Sequence, residues 1–155
     1  MATVAGGNFP GTAGKDFISG TAGDDVIHGF KGNDRLKGVG GDDTIFGGQG
    51  RDRINGGTGD DVMTGDRAHH ETFKDVFVFH ENSGKDVITD FDVDRDVLEI
   101  SKGLNGINTA KDVLKHASQH GDDVIINLGD GNKITLKGVD LDDLKKHPGD
   151  HFDIV

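Results

Sequence analysis

The chain has 155 residues, of which 26 are glycine, only 32% are hydrophobic and none is cysteine, tryptophan or tyrosine. The absence of cysteine excludes disulfides and thiolate metal sites. A net charge of −11 argues against nucleic acid as a partner and favours cations. No apolar run reaches the length of a membrane span, and the N-terminal residues lack the apolar segment of a cleaved signal peptide. We expect one domain that needs a source of stability other than a large hydrophobic core.

A nine-residue unit runs six times without a gap from Gly11 to Thr64. Its first and fourth places are always glycine, its sixth is always aspartate and its eighth is always a large aliphatic residue. The eighth-place residues are Ile18, Ile27, Leu36, Ile45, Ile54 and Met63. A flexible glycine-rich linker needs no apolar residue in a fixed register, so the pattern favours a folded repeat.

Each unit predicts a short strand that follows a tight loop. Places seven to nine alternate outward, inward and outward, as in a strand with one buried side chain. Two consecutive units then make one coil of 18 residues. The strands of odd and even units lie in two opposite sheets, and their loops lie on two opposite edges. The predicted fold class is therefore all-β, a two-sheet β-solenoid.

The loops are candidate calcium sites. Glycines let the loop carbonyls point at one spot, and the sixth place adds a short carboxylate. Carbonyl and carboxylate oxygens form the shell that Ca²⁺ prefers, whereas Mg²⁺ demands a stricter octahedron. Stacked carboxylates repel one another without cations between them, so folding and calcium binding are expected to be coupled. The predicted ligands are Asp16, Asp25, Asp34, Asp43, Asp52 and Asp61, with Gly11, Gly20, Gly29, Gly32, Gly38, Gly41, Gly50 and Gly59.

The unit Gly-Gly-x-Gly-x-Asp-x-aliphatic-x resembles the RTX repeat of bacterial proteins exported by type I secretion. The resemblance implies a right-handed parallel β-roll, in which carbonyls of one loop and the aspartate of the loop one coil further on share each Ca²⁺. Mapped onto this chain, loops 11–16, 29–34 and 47–52 would share ions on one edge, and loops 20–25, 38–43 and 56–61 on the other. At least four ions are expected, with Asp34, Asp43, Asp52 and Asp61 as the principal carboxylates and Asp16 and Asp25 opening the stack.

The loops are not all alike. The second place departs from glycine in the first four units, and this is expected to weaken the early sites; the residues are Thr12, Thr21, Phe30 and Val39. The even units carry a second aspartate at the fifth place, and this extra charge is expected to tighten binding on their edge; these residues are Asp24, Asp42 and Asp60.

Degenerate repeats are predicted over 65–100 after the perfect ones over 11–64. Strand halves recur at Asp75–Phe79, Ser83–Ile88 and Asp96–Ile100, after an insertion around Arg67–Glu71. We expect Asp75 and Asp86 to close further calcium sites. This stretch also resembles the segment that follows the repeats in serralysin-type proteases.

Residues 1–10 are predicted as a lead-in and residues 101–155 as a small α+β cap over the open end of the roll. The pattern predicts a helix over Asn108–His120, capped by Asn108 or Thr109 and stopped by Gly121. It also predicts a hairpin around residues 129–132, a short helix near Leu141–Lys146 and a last strand over Phe152–Val155.

The last residues, Asp153-Ile154-Val155, resemble the acidic-then-apolar tail of type I substrates, whose uncleaved export signal is C-terminal. The resemblance implies a secreted, extracellular bacterial protein that is handled by the type I secretion machinery and folds on Ca²⁺ after export. Whether such a module serves a larger exported enzyme or stands alone in an extracellular matrix is left open by the residues.

The outward strand places predict two different surfaces. The odd units carry Arg35, Lys37 and Arg53, a basic row that offers a binding face for an anionic polysaccharide or simply a solvated surface. The even units are semi-apolar and carry Val26/His28, Thr44/Phe46 and Val62/Thr64. We expect this second face to pack under the C-terminal elements.

Catalysis has little support in the sequence, and we predict that the chain is not an enzyme. The segment His70–Lys74 does not supply the His-Glu-x-x-His motif of a zinc protease, and no Gly-x-Ser-x-Gly elbow is present. The pairs His116/His120 and His147/His151 have metal-compatible spacing without an evident third ligand.

Overall fold

The structure is a computed structural model that describes residues 6–66 and 73–155. Its strands are β1 (Asn8–Pro10), β2 (Phe17–Ser19), β3 (Val26–Lys31), β4 (Arg35–Gly40), β5 (Thr44–Gln49), β6 (Arg53–Thr58), β7 (Val62–Thr64), β8 (Val76–Phe79), β9 (Lys85–Ile88), β10 (Val97–Ile100), β11 (Ala117–His120), β12 (Asp123–Gly129), β13 (Asn132–Leu136) and β14 (Phe152–Ile154). Its α-helices are α1 (Ala110–Lys115), α2 (Leu141–Lys146) and α3 (Pro148–His151), and a short 3₁₀ turn covers Leu104–Gly106.

Alternate strands of the repeat stack into two parallel sheets. One sheet runs β1-β3-β5-β7-β9 and the other runs β2-β4-β6-β8-β10. Neighbouring strands pair residues one coil apart, as in Ile27 with Ile45. The eighth-place residues from Ile27 to Met63 point between the sheets and are almost fully buried. The predicted two-sheet parallel roll is confirmed.

The roll extends at both ends beyond the perfect repeats. Strand β1 lies in the predicted lead-in and pairs in parallel with β3, with Phe9 opposite Ile27. At the other end, β8, β9 and β10 occur where degenerate strand halves were predicted. The insertion at Arg67–Glu71 lies outside the described residues.

The C-terminal segment, defined here as residues 101–155, continues both sheets. Strand β13 pairs in parallel with β9, and β14 pairs in parallel with β10. The predicted hairpin is present as β12 and β13, and the predicted short helix is α2. The apolar side chains of this segment join the core of the roll in one cluster.

The prediction of a helix over Asn108–His120 is wrong beyond Lys115. Thr109 is the N-cap, and it forms a reciprocal capping box with Asp112. The following residues pair as β11 with β12 instead, and the Gln119 side chain donates to backbone carbonyls of neighbouring turns. Gly121 therefore forms the β11–β12 turn with φ 62° rather than a helix stop. Tertiary pairing overrides helix propensity here.

The expectation that the even face packs under the C-terminal elements is also wrong. Val26, Phe30 and Val62 remain exposed on it. The reason is topological: the C-terminal strands add to the edges of the two sheets, so they lengthen the roll and leave its outer faces uncovered.

Candidate metal centre

The sixth-place aspartates form one ladder on each edge of the roll. In each ladder, the Oδ1 atom accepts a hydrogen bond from the backbone N–H of the residue one coil earlier, at 2.8 Å for Asp16 to Asp34, Asp25 to Asp43, Asp34 to Asp52 and Asp43 to Asp61. The ladders continue from Asp52 to Asp75 and from Asp61 to Asp86. The coil spacing thus brings each carboxylate into hydrogen-bond contact with the backbone of the loop one coil earlier.

The second carboxylate oxygen is different in the central loops, which we define as residues 29–34, 38–43, 47–52 and 56–61. The Oδ2 atoms of four buried aspartates have no hydrogen-bond partner among the described residues: Asp34, Asp43, Asp52 and Asp61. A buried anionic oxygen without a partner is strongly unfavourable unless a cation neutralises it. These are the four principal carboxylates predicted from the sequence.

The space beside each Oδ2 atom fits a cation that takes oxygen ligands. A Cβ atom placed on Gly38 would lie 2.3 Å from the carbonyl oxygen of Gly56 and closer still to Oδ2 of Asp43. A Cβ atom on Gly29 would lie 2.3 Å from the Gly47 carbonyl and 2.6 Å from Oδ2 of Asp34. The carboxylate of the same loop and a carbonyl of the next coil therefore converge beside the first-place glycine. Carboxylate and carbonyl oxygens are the ligands that Ca²⁺ prefers.

The fourth-place glycines meet a different requirement. Gly32, Gly41, Gly50 and Gly59 have φ between 92° and 132°, a region that side chains disfavour. A Cβ atom on Gly50 would also lie 1.7 Å from the carbonyl oxygen of Gly32. The two coils can approach this closely because Gly50 has no side chain.

The electrostatics of the buried ladder favour protonation in the absence of a cation. Burial raises the pKa of Asp43 to about 6 and the pKa values of Asp52 and Asp61 to about 7, against the opposing effect of one backbone hydrogen bond each. Burial also raises the pKa values of Asp75 and Asp86 to about 8. Neighbouring carboxylates add to each shift, because like charges disfavour ionisation.

The first coil, residues 11–28, departs from this pattern. Asp16 accepts hydrogen bonds from Thr12, and Asp25 accepts them from Thr21. Burial raises the pKa of Asp25, but the hydrogen bonds from Thr21 and Gly7 outweigh it, so the pKa lies below its ordinary value. The carboxylates that open the stack are thus already satisfied by protein donors.

Sequence reasoning missed one member of the odd-edge ladder. Asp96 is buried, and its Oδ1 accepts from the Asp75 backbone N–H at 2.9 Å while Oδ2 accepts from the Asp92 N–H at 2.9 Å. The signal was present, because Asp96 precedes a strand half just as Asp75 does. Irregular spacing between these units concealed the equivalence.

A second ladder runs along the even edge on exposed fifth-place residues. Asp24 accepts from the Asp42 backbone N–H and Asp42 accepts from the Asp60 N–H, each at 2.8 Å. These carboxylates lie beside the buried ladder and add negative charge to it. Tighter binding on this edge stays a prediction.

Side chains alone do not assemble a metal site. Within residues 6–66 and 73–155, no three histidine or acidic side chains form a preassembled metal cluster. Of the two histidine pairs noted in the sequence, one is divided between two elements: His116 caps α1 while His120 lies in β11. His151 is buried edge-on against Phe152.

The basic row on the odd face is partly neutralised. Both terminal nitrogens of Arg53 bond Glu99, at 2.6 and 2.5 Å, across strand β8. Arg35 and Lys15 instead lie 5.5 and 5.2 Å from the ring centre of the exposed Phe17.

No helix in the described part of the chain is long and apolar enough to cross a bilayer.

Comparisons with known proteins agree on the repeat. The family model of the RTX calcium-binding nonapeptide repeat, in four copies, matches residues 10–39 and 37–69. No curated protein matches the chain in sequence.

Two solved structures are similar to the chain. The extracellular lipase LipA from Serratia marcescens is 18% identical with a TM-score of 0.49, over 99% of this chain and 39% of the lipase. The AlgE6R3 subunit of the mannuronan C5-epimerase from Azotobacter vinelandii is 26% identical with a TM-score of 0.37, over 94% of this chain and 80% of that one. The chain thus spans about two fifths of the lipase.

Proposed function

From the premise that residues 10–69 are RTX calcium-binding nonapeptide repeats, we propose that this chain is a secretion and folding module that folds on Ca²⁺ after type I export. The observation that carries the proposal is the row of four buried Oδ2 atoms that lack a hydrogen-bond partner within residues 6–66 and 73–155, on Asp34, Asp43, Asp52 and Asp61. Protein groups leave these anionic oxygens unsatisfied, and a divalent cation would satisfy them.

The residues that would hold the ions follow from the ladder. Each of the four aspartates would supply Oδ2, and carbonyls of the loop glycines would supply further oxygens. Bound Ca²⁺ would neutralise the carboxylates and hold the coils together. The glycines keep the carbonyls close, and the buried aliphatic residues close the space between the sheets.

The Ca²⁺ concentration of each compartment would decide whether the chain is unfolded or folded. Where Ca²⁺ is scarce, the buried carboxylates repel and the chain stays extended enough to be exported. Extracellular calcium modules bind with dissociation constants of about 10⁻⁴–10⁻³ M, so millimolar Ca²⁺ outside the cell would fill such sites. Several sites in one solenoid should make the transition cooperative.

The C-terminal tail fits the same account. Residues 152–154 form β14, which pairs with β10 and is the end strand of its sheet in the described structure, and Val155 is exposed. An export signal at this position would be available before the roll forms and would become an ordered edge strand afterwards.

An anionic polysaccharide is a second candidate ligand, and the observation that favours it is local. Phe17 is 68% exposed and carries Lys15 and Arg35 against its ring. A sugar acid can stack on the ring and pair with the cations. Because Arg53 is bound to Glu99, this surface would be Lys15, Arg35 and Lys37 without Arg53.

Calcium titration followed by far-UV circular dichroism tests the main proposal. We expect a cooperative gain of β structure at sub-millimolar to millimolar Ca²⁺ and no such transition with Mg²⁺. A chain that is fully folded in chelator at neutral pH and unchanged by Ca²⁺ would contradict it. Retention of alginate by the folded chain, lost in Lys15→Ala/Arg35→Ala but not in Arg53→Ala, would support the second candidate.

A further inference from the structure

The two threonines at the second places of the first coil, Thr12 and Thr21, donate hydrogen bonds to the sixth-place aspartates of their own loops. In the first loop, Oδ2 of Asp16 accepts from the backbone N–H of Thr12 at 2.6 Å and from its hydroxyl at 3.0 Å. In the second loop, Oδ2 of Asp25 accepts from the N–H and the hydroxyl of Thr21 at 2.5 and 3.1 Å. Each threonine therefore satisfies the oxygen that stays without a partner in the central loops.

The backbone of the first coil differs in the same places. The second-place residues of all four central loops have positive φ, namely Phe30, Val39, Gly48 and Gly57. Thr12 and Thr21 do not, and neither do the fourth-place glycines Gly14 and Gly23. The six repeats thus contain two loop conformations, one with a threonine turned onto the aspartate and one with positive φ and an open Oδ2.

Glycine content does not explain the difference. Phe30 at φ 73° and Val39 at φ 96° adopt the open conformation although their side chains disfavour it, Val39 most of all because it is β-branched. What distinguishes the first coil is a side-chain hydroxyl at the second place that can donate to the carboxylate four residues later. Val39 and threonine have nearly the same shape, so the hydroxyl is the relevant difference.

We propose that Thr12 and Thr21 close the first coil with hydrogen bonds in the position where the central loops take Ca²⁺, so that the second-place residue decides which loops bind an ion. This inference rests on the proposed calcium function and refines it. Asp16 and Asp25 then have no free Oδ2 atom to bind an ion, because the threonines occupy it. The loops of the first coil are stabilised by hydrogen bonds, and the coil binds fewer ions than its two sixth-place aspartates predict.

Ion counting on matched variants tests the inference. Equilibrium dialysis with Ca²⁺ on the full chain gives the number of bound ions, and circular dichroism at the same Ca²⁺ concentration verifies the fold. We expect Thr12→Gly/Thr21→Gly to bind at least one more ion than the natural chain. Thr12→Ser/Thr21→Ser is the matched control, because it keeps the hydroxyls and should keep the natural count.

A reciprocal variant, Val39→Thr, keeps the inference testable if Thr12→Gly/Thr21→Gly unfolds the first coil. Val39→Thr adds a hydroxyl to a central loop with little change of shape and should remove or weaken the ion at Asp43, lowering the count by one. Unchanged counts in both Val39→Thr and a folded Thr12→Gly/Thr21→Gly would overturn the inference. A natural chain that binds no Ca²⁺ would instead overturn the proposed function.

Discussion

The roll and the C-terminal segment differ in the residues that they bury. In the roll, each unit from the second to the sixth buries one aliphatic residue together with one aspartate, and the central aspartates keep an oxygen without a hydrogen-bond partner among the described residues. In the C-terminal segment, the buried residues are almost all apolar, including Ile107, Val124 and Leu136. Its carboxylates lie at the surface and pair with lysines, as Asp112 with Lys115 and Asp123 with Lys137.

The difference teaches where each region obtains its stability. A region whose burial is mostly apolar is stabilised by the hydrophobic effect and needs no ion. A region that buries a column of carboxylates depends on whatever neutralises them. On the proposed function, one chain combines a solenoid that depends on bound ions with a segment stabilised mainly by its apolar residues. The two are joined through β9–β13 and β10–β14 pairing.

The largest expected effect comes from closing the space between coils. Gly50→Ala places a Cβ atom 1.7 Å from the Gly32 carbonyl oxygen at φ 130°, so we expect loss of about 4 kcal/mol or more of unfolding free energy in Ca²⁺. Gly131→Ala in the β12–β13 turn also has positive φ, at 87°, but nothing lies within 4 Å of its Cβ position. Its cost should be about 1–2 kcal/mol. Denaturant unfolding of both variants measures the contrast, and equal losses would show that φ rather than coil stacking governs the roll.

Removing a buried carboxylate should act through Ca²⁺, whereas removing a surface one should not. Asp52→Asn takes a charge from an unpartnered Oδ2, and we expect the calcium midpoint of folding to rise about tenfold, equivalent to roughly 1.4 kcal/mol. Asp123→Asn weakens the pair with Lys137 and the hydrogen bond from the Gly138 backbone N–H, both outside the repeat, and should leave the midpoint unchanged. Calcium titrations by circular dichroism compare them, and a shift of equal size in both would remove the distinction between the regions.

The pH dependence should change sign with Ca²⁺. Burial raises the pKa values of five ladder aspartates from 3.8 to between about 6 and about 8, so their carboxyls bind more protons in the folded roll than in the unfolded chain; they are Asp43, Asp52, Asp61, Asp75 and Asp86. In chelator, stability is therefore greatest below pH 4 or so and falls as pH rises through the raised values. With Ca²⁺ the ligands must be ionised, so stability should rise with pH instead. Circular dichroism melts at pH 5 and pH 8 test this, and the same order in both media would contradict it.

The smallest expected effect is at the ion pair that joins strands β6 and β10 within the roll. The guanidinium of Arg53 keeps the pKa of Glu99 low through their paired hydrogen bonds, although Arg53 is partly exposed. Arg53→Ala should lower unfolding free energy by about 0.5–1 kcal/mol, because exposed pairs contribute little. Arg35→Ala, on the same face and without a carboxylate pair, is the matched control for denaturant melts. A larger loss at Arg35 would mean that contact with Phe17 matters more than the ion pair.

Much of the roll was predictable because its rules are local and repeat. Within one unit, the position of Gly38 requires a residue without a side chain, that of Asp43 a carboxylate and that of Ile45 a buried aliphatic residue. The stacking of six equivalent units fixes the rest by periodicity. The sequence therefore predicted both sheets and the four aspartates whose Oδ2 atoms lack a partner.

What the sequence did not predict depends on contacts between distant residues. Strand β11 forms because β12 lies beside it, which overrides the helical pattern around His116. The exposed even face follows from how β13 and β14 extend the sheets. The role of Thr12 required knowing that its hydroxyl reaches Asp16, because as a consensus departure it only suggested a weaker site.

Hydrogen exchange measured by mass spectrometry, with Ca²⁺ and with chelator at neutral pH, tests the central claim most directly. We predict that peptides from residues 11–64 lose most of their protection in chelator, whereas peptides covering α1, β12 and β13 lose much less. Equal protection of both regions in the two media would contradict the claim that buried carboxylates make the roll depend on Ca²⁺.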